Sequence, residues 1–550
     1  MKKTHLRTKT LAVTLLAALI IPTAALGQAL KPAVYTAPKE TIDRIREEGF
    51  QRSQVMSTLS YMTDVIGGRL TGSPGMKRAN DWTRDKMKEW GMTAKVEPWG
   101  EFGRGWSLRK FSAALVEPEY QPIIAYPAAW SPSTKGVITS EVVHVDIKSQ
   151  ADFEKFKGKL AGKIALVSEL RPVRPLDKGL LSRFSAEELA RIAAAPAGTQ
   201  IGGGPPLEAF KEITAYFNMQ AKRQQFLIDQ GAALMLEASP AGTGGTVFVQ
   251  GASVAVEVGE LKTLDDIINS PAFQAHLKKW AAKIMPQAVI SVEDSNRLIR
   301  LLTAGAKPKM TVEIDAQFHE QDLQGYNTIG EIQGSDPVLK DEIVMLGAHL
   351  DSWHSSTGAT DNGAGSAAIM EAARILMAAG LKPRRTIRVA LWSGEEQGLF
   401  GSTSYVKKNF GEMKDGKLLK GPAYERLAAY YNLDNGTGRI RGVYIEGNEA
   451  ARPFFEAWLA PFADTGANTL SLAGTGGTDH LPFEAIGLPG FQFIQDQVEY
   501  ETRTHHSNQD NFDRIQADDM KQASTILAAF AYQTAMMDGK FPRKNAVIAP

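Results

Sequence analysis

The chain has 550 residues, of which 43% are hydrophobic and 22% are charged, and this length predicts two or three globular domains. Its formal net charge of +1 argues against a function defined by binding to nucleic acid or to an anionic membrane. It contains no cysteine, which excludes thiolate nucleophiles, cysteine-ligated zinc and iron–sulfur clusters.

The N-terminal residues have the pattern of an export signal. A basic stretch precedes an apolar run from Leu11 to Ile21, and the small residues Ala25 and Gly27 offer a cleavage point before Gln28. Because the apolar run is shorter than the ~20 residues that span a bilayer, a cleaved signal over residues 1–27 is favoured over a membrane anchor. We therefore expect a protein that is exported to the periplasm or the extracellular space, without stable membrane insertion.

Residues 40–95 carry apolar side chains at helical spacing on both sides of a turn-rich stretch at 67–74. The second of these helices is expected to stop at Gly91. Residues 28–127 are predicted to form the N-terminal part of the same domain as residues 311–550.

Between about 128 and 310 the pattern changes to short β-like runs, separated by helical segments and by loops rich in glycine and proline. This stretch contains His144 and His276 but no acidic cluster paired with histidine. We expect a smaller, β-rich α/β insert without catalytic residues. The β-like runs lie at 141–145, 163–167, 232–236 and 246–249.

From about 320 onward, strand and helix patterns alternate along the chain. This alternation predicts an α/β fold, with a mixed and mostly parallel sheet flanked by helices. The helices are expected near 363–379, 452–463 and 517–537. The strands are expected at 343–346, 386–391, 429–433 and 490–494.

Histidines and acidic residues follow the strands of this last part. Because ligands of an open α/β sheet bind beyond the carboxyl ends of its strands, we expect these side chains to converge although they span about 155 positions. Each one alone has an ordinary structural explanation, such as a helix N-cap, a solvated loop pair or a turn. The residues are His349, Asp351, Asp361, Glu395, Glu396, Asp434, His505 and His506.

The residue types in this group predict a metal site. Two histidines with three carboxylates suit Zn²⁺ or a similar divalent ion, and cysteine ligands are not available. Five ligands are too many for one catalytic zinc with an open position, but they fit two ions that share a carboxylate. The adjacent Glu395 and Glu396 are expected to divide the work, one binding metal and the other handling protons.

Five motifs, in this order, are similar to the metal-site motifs of the two-zinc exopeptidases that include bacterial leucyl aminopeptidases and plasma glutamate carboxypeptidase. The likeness is strongest over residues 320–540 and is nearest to the carboxypeptidase Q-like branch, while residues 128–310 resemble a protease-associated insert more weakly. The motifs are Gly347–Trp353, Thr360–Gly365, Ser393–Ser402, Asn432–Asp434 and His506–Asp510.

The resemblance implies a fold like that of the zinc exopeptidases, with residues 311–550 as its catalytic part, and two zinc ions per chain. Asp361 would bridge the two ions. His349 and Asp434 would complete one site, and Glu396 and His506 would complete the other.

The motifs distinguish His506 from His505, and they depart from the family pattern at Thr360. His506 fits the family pattern H-[ST]-x-x-D through Ser507 and Asp510, whereas His505 does not. The family often has an acid where this chain has Thr360, so the surroundings of the bridging aspartate are expected to differ locally.

The resemblance also implies an activity. The protein would hydrolyse terminal peptide bonds of short peptides through a metal-bridging hydroxide, with Glu395 as general base and Asp351 as the partner that orients His349. A glycine-rich loop at 476–480 suggests His480 as a substrate contact, although a plain turn with a polar tip explains that loop equally well.

The motifs leave several alternatives open. They do not say which peptide terminus is cleaved, which side chains are preferred, what the insert does, or whether the chain forms a homodimer. Two other functions occur on this kind of fold, namely a non-catalytic receptor-like binding module and a single-zinc glutaminyl cyclase. The complete set of ligands disfavours both.

Overall fold

The computed structural model describes residues 34–202 and 209–544, and its strands form two large mixed sheets. Four adjacent parallel strands make the centre of the first sheet, and they are buried almost along their whole length, as the core of an α/β sheet requires. Antiparallel strands extend this sheet on both sides. Its strands, in spatial order, are Thr93–Glu101, Gln324–Ile332, Thr386–Trp392, Ile343–His349, Leu427–Asn432, Gly490–Gln495, Ile440–Tyr444 and Thr469–Ser471.

Helices pack onto this sheet. The helices Ala364–Ala378 and Ala517–Met536 lie against each other, and both contact the strand Ile343–His349. Alanine favours the helix and, being small, allows two helices to approach closely; most residues of both helices are buried. Further helices are Lys39–Gln51, Val55–Ser60, Pro74–Glu89, Phe400–Asn409, Arg452–Leu459 and Leu481–Ala485.

A buried ion-pair network fixes the helix Lys39–Gln51 to the helix Ala364–Ala378. Arg374 donates hydrogen bonds to Glu371 at 2.7 Å and to Glu48 at 2.8 Å. All three side chains are buried, so each charge depends on its partners rather than on water. This network joins the N-terminal helical part to the layer that covers the first sheet.

The second sheet is built from residues 105–319 and contains parallel strands in its centre. It includes strands from both sides of the predicted interval 128–310, at Gly105–Glu117 and Lys309–His319. Its helices include Phe153–Phe156, Phe210–Asp229, Leu264–Ile268 and Val292–Thr303, whereas the helix Ala186–Ala194 packs against the first sheet at the strand Thr469–Ser471. Its strands, in spatial order, are Gln121–Pro122, Gly105–Glu117, Lys309–His319, Ile138–His144, Ile164–Leu166, Leu234–Ala238, Gln287–Ile290 and Ala125–Pro127.

Two small sheets complete the strand pairing. One pairs Gly411–Lys414 with Lys417–Lys420, and the other pairs Gln200–Ile201 with Gly474–Thr475. The second pair joins the part of the chain that precedes residue 203 to the loop before His480.

The predicted α/β class, with large mixed sheets flanked by helices, is confirmed. The β-like run expected at 246–249 is not a strand of either large sheet. Within this run, only Phe248 forms a β-bridge, and its partner is Ser507. Val247 and Val249 are buried in the core of the second sheet, so their alternation reflects burial rather than pairing within that sheet.

The predicted export signal at residues 1–27 lies outside the described residues. Over the described ranges, no helix has the length and apolar character needed to cross a membrane.

Candidate metal centre

The ends of three parallel strands bring the predicted metal ligands together. His349 is the last residue of its strand, Glu395 and Glu396 follow the strand that ends at Trp392, and Asp434 follows the strand that ends at Asn432. The carboxyl ends of parallel strands share one edge of the sheet, so side chains that are distant in sequence meet there.

Asp361 lies at the centre of the group. Its Oδ1 is 3.3 Å from Nε2 of His349, and its Oδ2 is 3.2 Å from Nε2 of His506. Asp434 Oδ1 lies 3.3 Å from the same His349 nitrogen, and Glu396 Oε2 lies 2.9 Å from the same His506 nitrogen. The structure thus forms two clusters of ligand atoms with one carboxylate between them.

His505 lies farther from this centre than His506. Its Nε2 is 3.8 Å from Asp361 Oδ2, and its Nδ1 is 3.7 Å from Glu501. Its ring stacks on Tyr500, with 4.7 Å between the ring centroids. Asp361, His505 and His506 also have ligand atoms close enough together to hold an ion, but His506 alone of the two histidines contacts Glu396.

Asp351 connects the two halves of the site. The carbonyl oxygen of Asp351 is 3.0 Å from Nδ1 of His349, which can donate to it and leave Nε2 free to bind metal. Its carboxylate accepts the hydroxyl hydrogen bond of Thr71 at 2.8 Å and longer bonds, at 3.4 Å, from the N–H groups of Glu395 and Glu396. Asp351 therefore holds the imidazole through its backbone carbonyl, and it holds the turn that carries the two glutamates through its buried carboxylate.

Thr71 and Asp510 are positioning residues that the sequence analysis did not assign. Thr71 lies in a turn-rich stretch and carried no signal, yet its hydroxyl also accepts the N–H of Gly394 at 3.0 Å. Asp510 accepts the N–H groups of Thr360 and Asp361 at 2.6 and 3.1 Å, which fixes the backbone of the central aspartate. The family pattern contained Asp510 and could have pointed to it.

The electrostatics of the group fit a cation. Burial raises the pKa of Glu395 well above its usual range, and the nearby Asp434 and Asp479 raise it further against the lowering effect of His349. Burial acts to lower the pKa of His349, but the surrounding carboxylates outweigh it and raise that pKa well above its usual range. Crowded buried carboxylates need positive charge nearby, and a divalent ion would supply it.

Buried oxygens without hydrogen bonds support the same fit. Asp361 Oδ2 and Glu396 Oε1 are buried and accept no hydrogen bond of normal geometry from the described residues. Hard carboxylate oxygens together with imidazole nitrogens form a donor set that suits zinc. The residues present therefore fit a divalent metal centre, and His349, Asp361 and Asp434 form one group that could hold an ion.

His480 does not join this centre. Its side chain is 0% exposed, and its Nε2 lies 3.1 Å from the carbonyl oxygen of Thr475 and 3.4 Å from Glu446. The half-buried Glu484 completes this second group, and Lys544 pairs with Glu484 at 2.7 Å. An imidazole without exposed surface has nothing to offer a substrate in this conformation, so the geometry does not support the predicted contact.

A cavity of about 380 Å³ is lined by neighbours of the candidate metal ligands, although not by the ligands themselves. Tyr500, which stacks on His505, and Asn435, which follows Asp434, both line it. Its other walls include the aromatic side chains Phe184 and Tyr444 and the charged side chains Glu188, Arg191 and Glu501. A cavity of this size can hold one amino-acid side chain.

The fold and this centre together define an α/β protein with a candidate divalent-metal centre at the carboxyl edge of its first sheet. Residues 327–531 match the sequence profile described as Peptidase family M28, and the resemblance to a metallo-exopeptidase family is thereby confirmed over this segment.

Individual relatives agree with this assignment. Carboxypeptidase Q from Mus musculus is 29% identical over 300 residues, which cover 54% of this chain and 60% of the mouse protein. The chain thus spans about 60% of the length of the curated relatives that it matches first.

Two solved structures share the fold. The Peptidase M28 precursor from Shewanella amazonensis SB2B has a TM-score of 0.60 at 22% identity and covers 92% of this chain and 98% of its own. The zinc aminopeptidase BSAP from Bacillus subtilis has a TM-score of 0.53 at 20% identity and covers 88% and 95%.

Proposed function

We propose that this protein is an exported, two-zinc exopeptidase that hydrolyses terminal peptide bonds of short peptides. The observation that carries the proposal is the position of Asp361, whose two carboxylate oxygens face two different histidines at 3.3 and 3.2 Å. A carboxylate in this position is the arrangement needed for two ions to share one ligand.

Five residues would hold the metal. His349, Asp361 and Asp434 would form one site, and Asp361, Glu396 and His506 would form the other. When bound, zinc would act as a Lewis acid toward the peptide carbonyl and would make water more acidic. Asp361 Oδ2 and Glu396 Oε1 accept no hydrogen bond of normal geometry from the described residues, which supports this assignment, because buried acceptors are costly unless a ligand satisfies them.

Glu395 would move the proton. Its Oε2 lies 3.8 Å from Nε2 of His349, so the carboxylate is at the rim of the ligand cluster rather than at its centre. From there it would accept the proton of the attacking water at Oε2 and return it to the leaving amine nitrogen. Asp351 would keep this turn in place through the N–H groups of Glu395 and Glu396.

The substrate would place one side chain in the cavity beside the centre. Its lining combines the aromatic side chains of Phe184, Tyr444 and Tyr500 with the charged side chains of Glu188, Arg191 and Glu501, which favours a side chain that has both apolar surface and a polar group. Relatives named as carboxypeptidase and as aminopeptidase both occur among the similar proteins, so the proposal covers either terminus.

One experiment tests the metal and the reaction together. Purified protein is analysed for zinc per chain, and its hydrolysis of dipeptides is measured with free, N-blocked and C-blocked substrates. We expect about two zinc ions per chain and cleavage that one type of block abolishes. One tightly bound ion with cyclisation of N-terminal glutamine would instead identify a glutaminyl cyclase, and zinc without any turnover would identify a binding module.

Export has a separate test. After expression of the full chain in a bacterial host, the N-terminal sequence of the processed protein is determined. We expect the mature chain to begin near Gln28, whereas an intact N-terminus in the cytoplasmic fraction would contradict export.

A further inference from the structure

A segment next to the second sheet lies along the loop that carries His506. Val249 donates its N–H to the carbonyl oxygen of His506 at 3.0 Å. Asn508 donates its N–H to the carbonyl oxygen of Val247 at 3.0 Å and accepts the N–H of Val247 at Oδ1 at 2.8 Å. Residues 246–250 are thus hydrogen-bonded to His506 itself and to Asn508, two residues after it.

The backbone of His506 needs such support. Its φ angle is +60°, in the left-handed region that residues other than glycine enter only at a cost. A conformation of this kind persists where surrounding contacts determine it. The hydrogen bonds from Val249 and to Asn508 are contacts of that type.

The side chain of Gln250 contacts the same histidine from the opposite side to the metal centre. Its amide nitrogen is 2.8 Å from Nδ1 of His506, while Nε2 of the ring faces Asp361 and Glu396. If Nε2 binds metal through its lone pair, Nδ1 carries the proton and needs an acceptor. A half-turn of the Gln250 amide places its oxygen at that position, because the two ends of the amide have nearly the same shape.

We infer that Gln250 is a positioning residue for metal binding, which fixes the ring plane and the tautomer of His506. This inference rests on the proposed function, since it assumes that His506 is a ligand. If the inference holds, the part of the chain around the second sheet helps to position a metal ligand. Residues 246–250 fall within the interval in which the sequence suggested no catalytic residue.

Two substitutions separate this role from a structural one. Gln250→Leu removes the acceptor at similar length, whereas Gln250→Glu keeps an acceptor oxygen. Gln250 is exposed, so neither change disturbs a core. Gln317→Leu is the matched control, because Gln317 is an exposed glutamine on the strand Lys309–His319.

The main measurement is zinc affinity by competition with a chelator, and the unfolding temperature of the metal-free protein serves as a folding control. Loss of an outer partner of a metal-bound histidine typically weakens metal binding 10–100-fold. We expect Gln250→Leu to weaken one of the two zinc ions about 10–100-fold, and Gln250→Glu to stay within a few-fold of the wild type. ¹⁵N NMR of the histidine ring should show the Nδ1–H form of His506 in the zinc-bound wild type and a mixture in Gln250→Leu.

The outcomes are distinguishable. If the wild type binds two zinc ions and Gln250→Leu binds both with unchanged affinity, the inference is refuted and the proposed function stands. A loss in Gln250→Glu as large as in Gln250→Leu would also refute it, because the acceptor would then be irrelevant. If the wild type itself binds fewer than two ions, the proposed function fails first. If Gln250→Leu lowers the unfolding temperature of the metal-free protein, Gln250→Asn is measured instead, because it withdraws the amide but stays polar. Weaker zinc binding by Gln250→Asn supports the inference, and unchanged zinc binding refutes it.

Discussion

The adjacent glutamates should respond in opposite ways to the same substitution. Glu396 Oε2 contacts His506 at 2.9 Å within the ligand cluster, whereas Glu395 Oε2 lies 3.8 Å from His349 at the rim. Glu395→Gln keeps the shape of the side chain but removes its ability to accept a proton. Glu396→Gln replaces a charged ligand by a neutral one.

The magnitudes follow from these positions. A positioned general base contributes about 10²–10⁴ to the rate, so turnover of Glu395→Gln should fall by that factor, or about 3–5 kcal/mol in activation free energy. Its zinc content should stay near that of the wild type, because no predicted ligand is lost. Glu396→Gln should lose much of one zinc ion on dialysis, and added zinc should restore part of its activity.

The assay measures turnover on a cleaved dipeptide and zinc per chain, for both variants and the wild type, after identical dialysis. If Glu395→Gln lost zinc while Glu396→Gln kept both ions without activity, the two roles would be reversed. Turnover at the wild-type level in Glu395→Gln with both ions bound would refute proton transfer by Glu395.

Further expected outcomes concern the bridging ligand and the stability of the fold. Asp361→Ala should lose zinc from both sites in elemental analysis, whereas the exposed Asp513→Ala should keep it. Arg374→Ala should lower the free energy of unfolding in denaturant by about 3–5 kcal/mol, since it leaves buried carboxylates unpaired, and an unchanged midpoint would contradict the network. Burial lowers the pKa of His276 to about 4, below the ordinary value near 6.5. The unfolded chain therefore binds this proton first, so stability should fall by about 3 kcal/mol between pH 6.5 and 4, and His276→Phe should remove that part of the fall. Equal pH profiles for His276→Phe and the wild type would refute this.

Much of the candidate metal centre was predicted from the sequence. His349 ends a strongly apolar strand, and Asp434 and the glutamate pair each follow one. Local sequence is enough to predict such strands. Because parallel strands end at a common edge, the order of these residues along the chain already implied that they meet. The central helix Ala364–Ala378 and the strand Thr386–Trp392 also lie within one or two residues of their predicted bounds.

Contacts between distant loops were decided only by the tertiary structure. Thr71 reaches Asp351 across 280 positions, and Gln250 reaches His506 across 256, and neither pairing leaves a periodic or motif signal. Burial of His480 likewise depends on Glu446 and on the surrounding packing rather than on its glycine-rich loop. Local sequence determines which segments form strands and helices, because that choice depends on nearby residues. The side chains that hold the ligands in place depend on how whole segments pack, and only the folded chain fixes that.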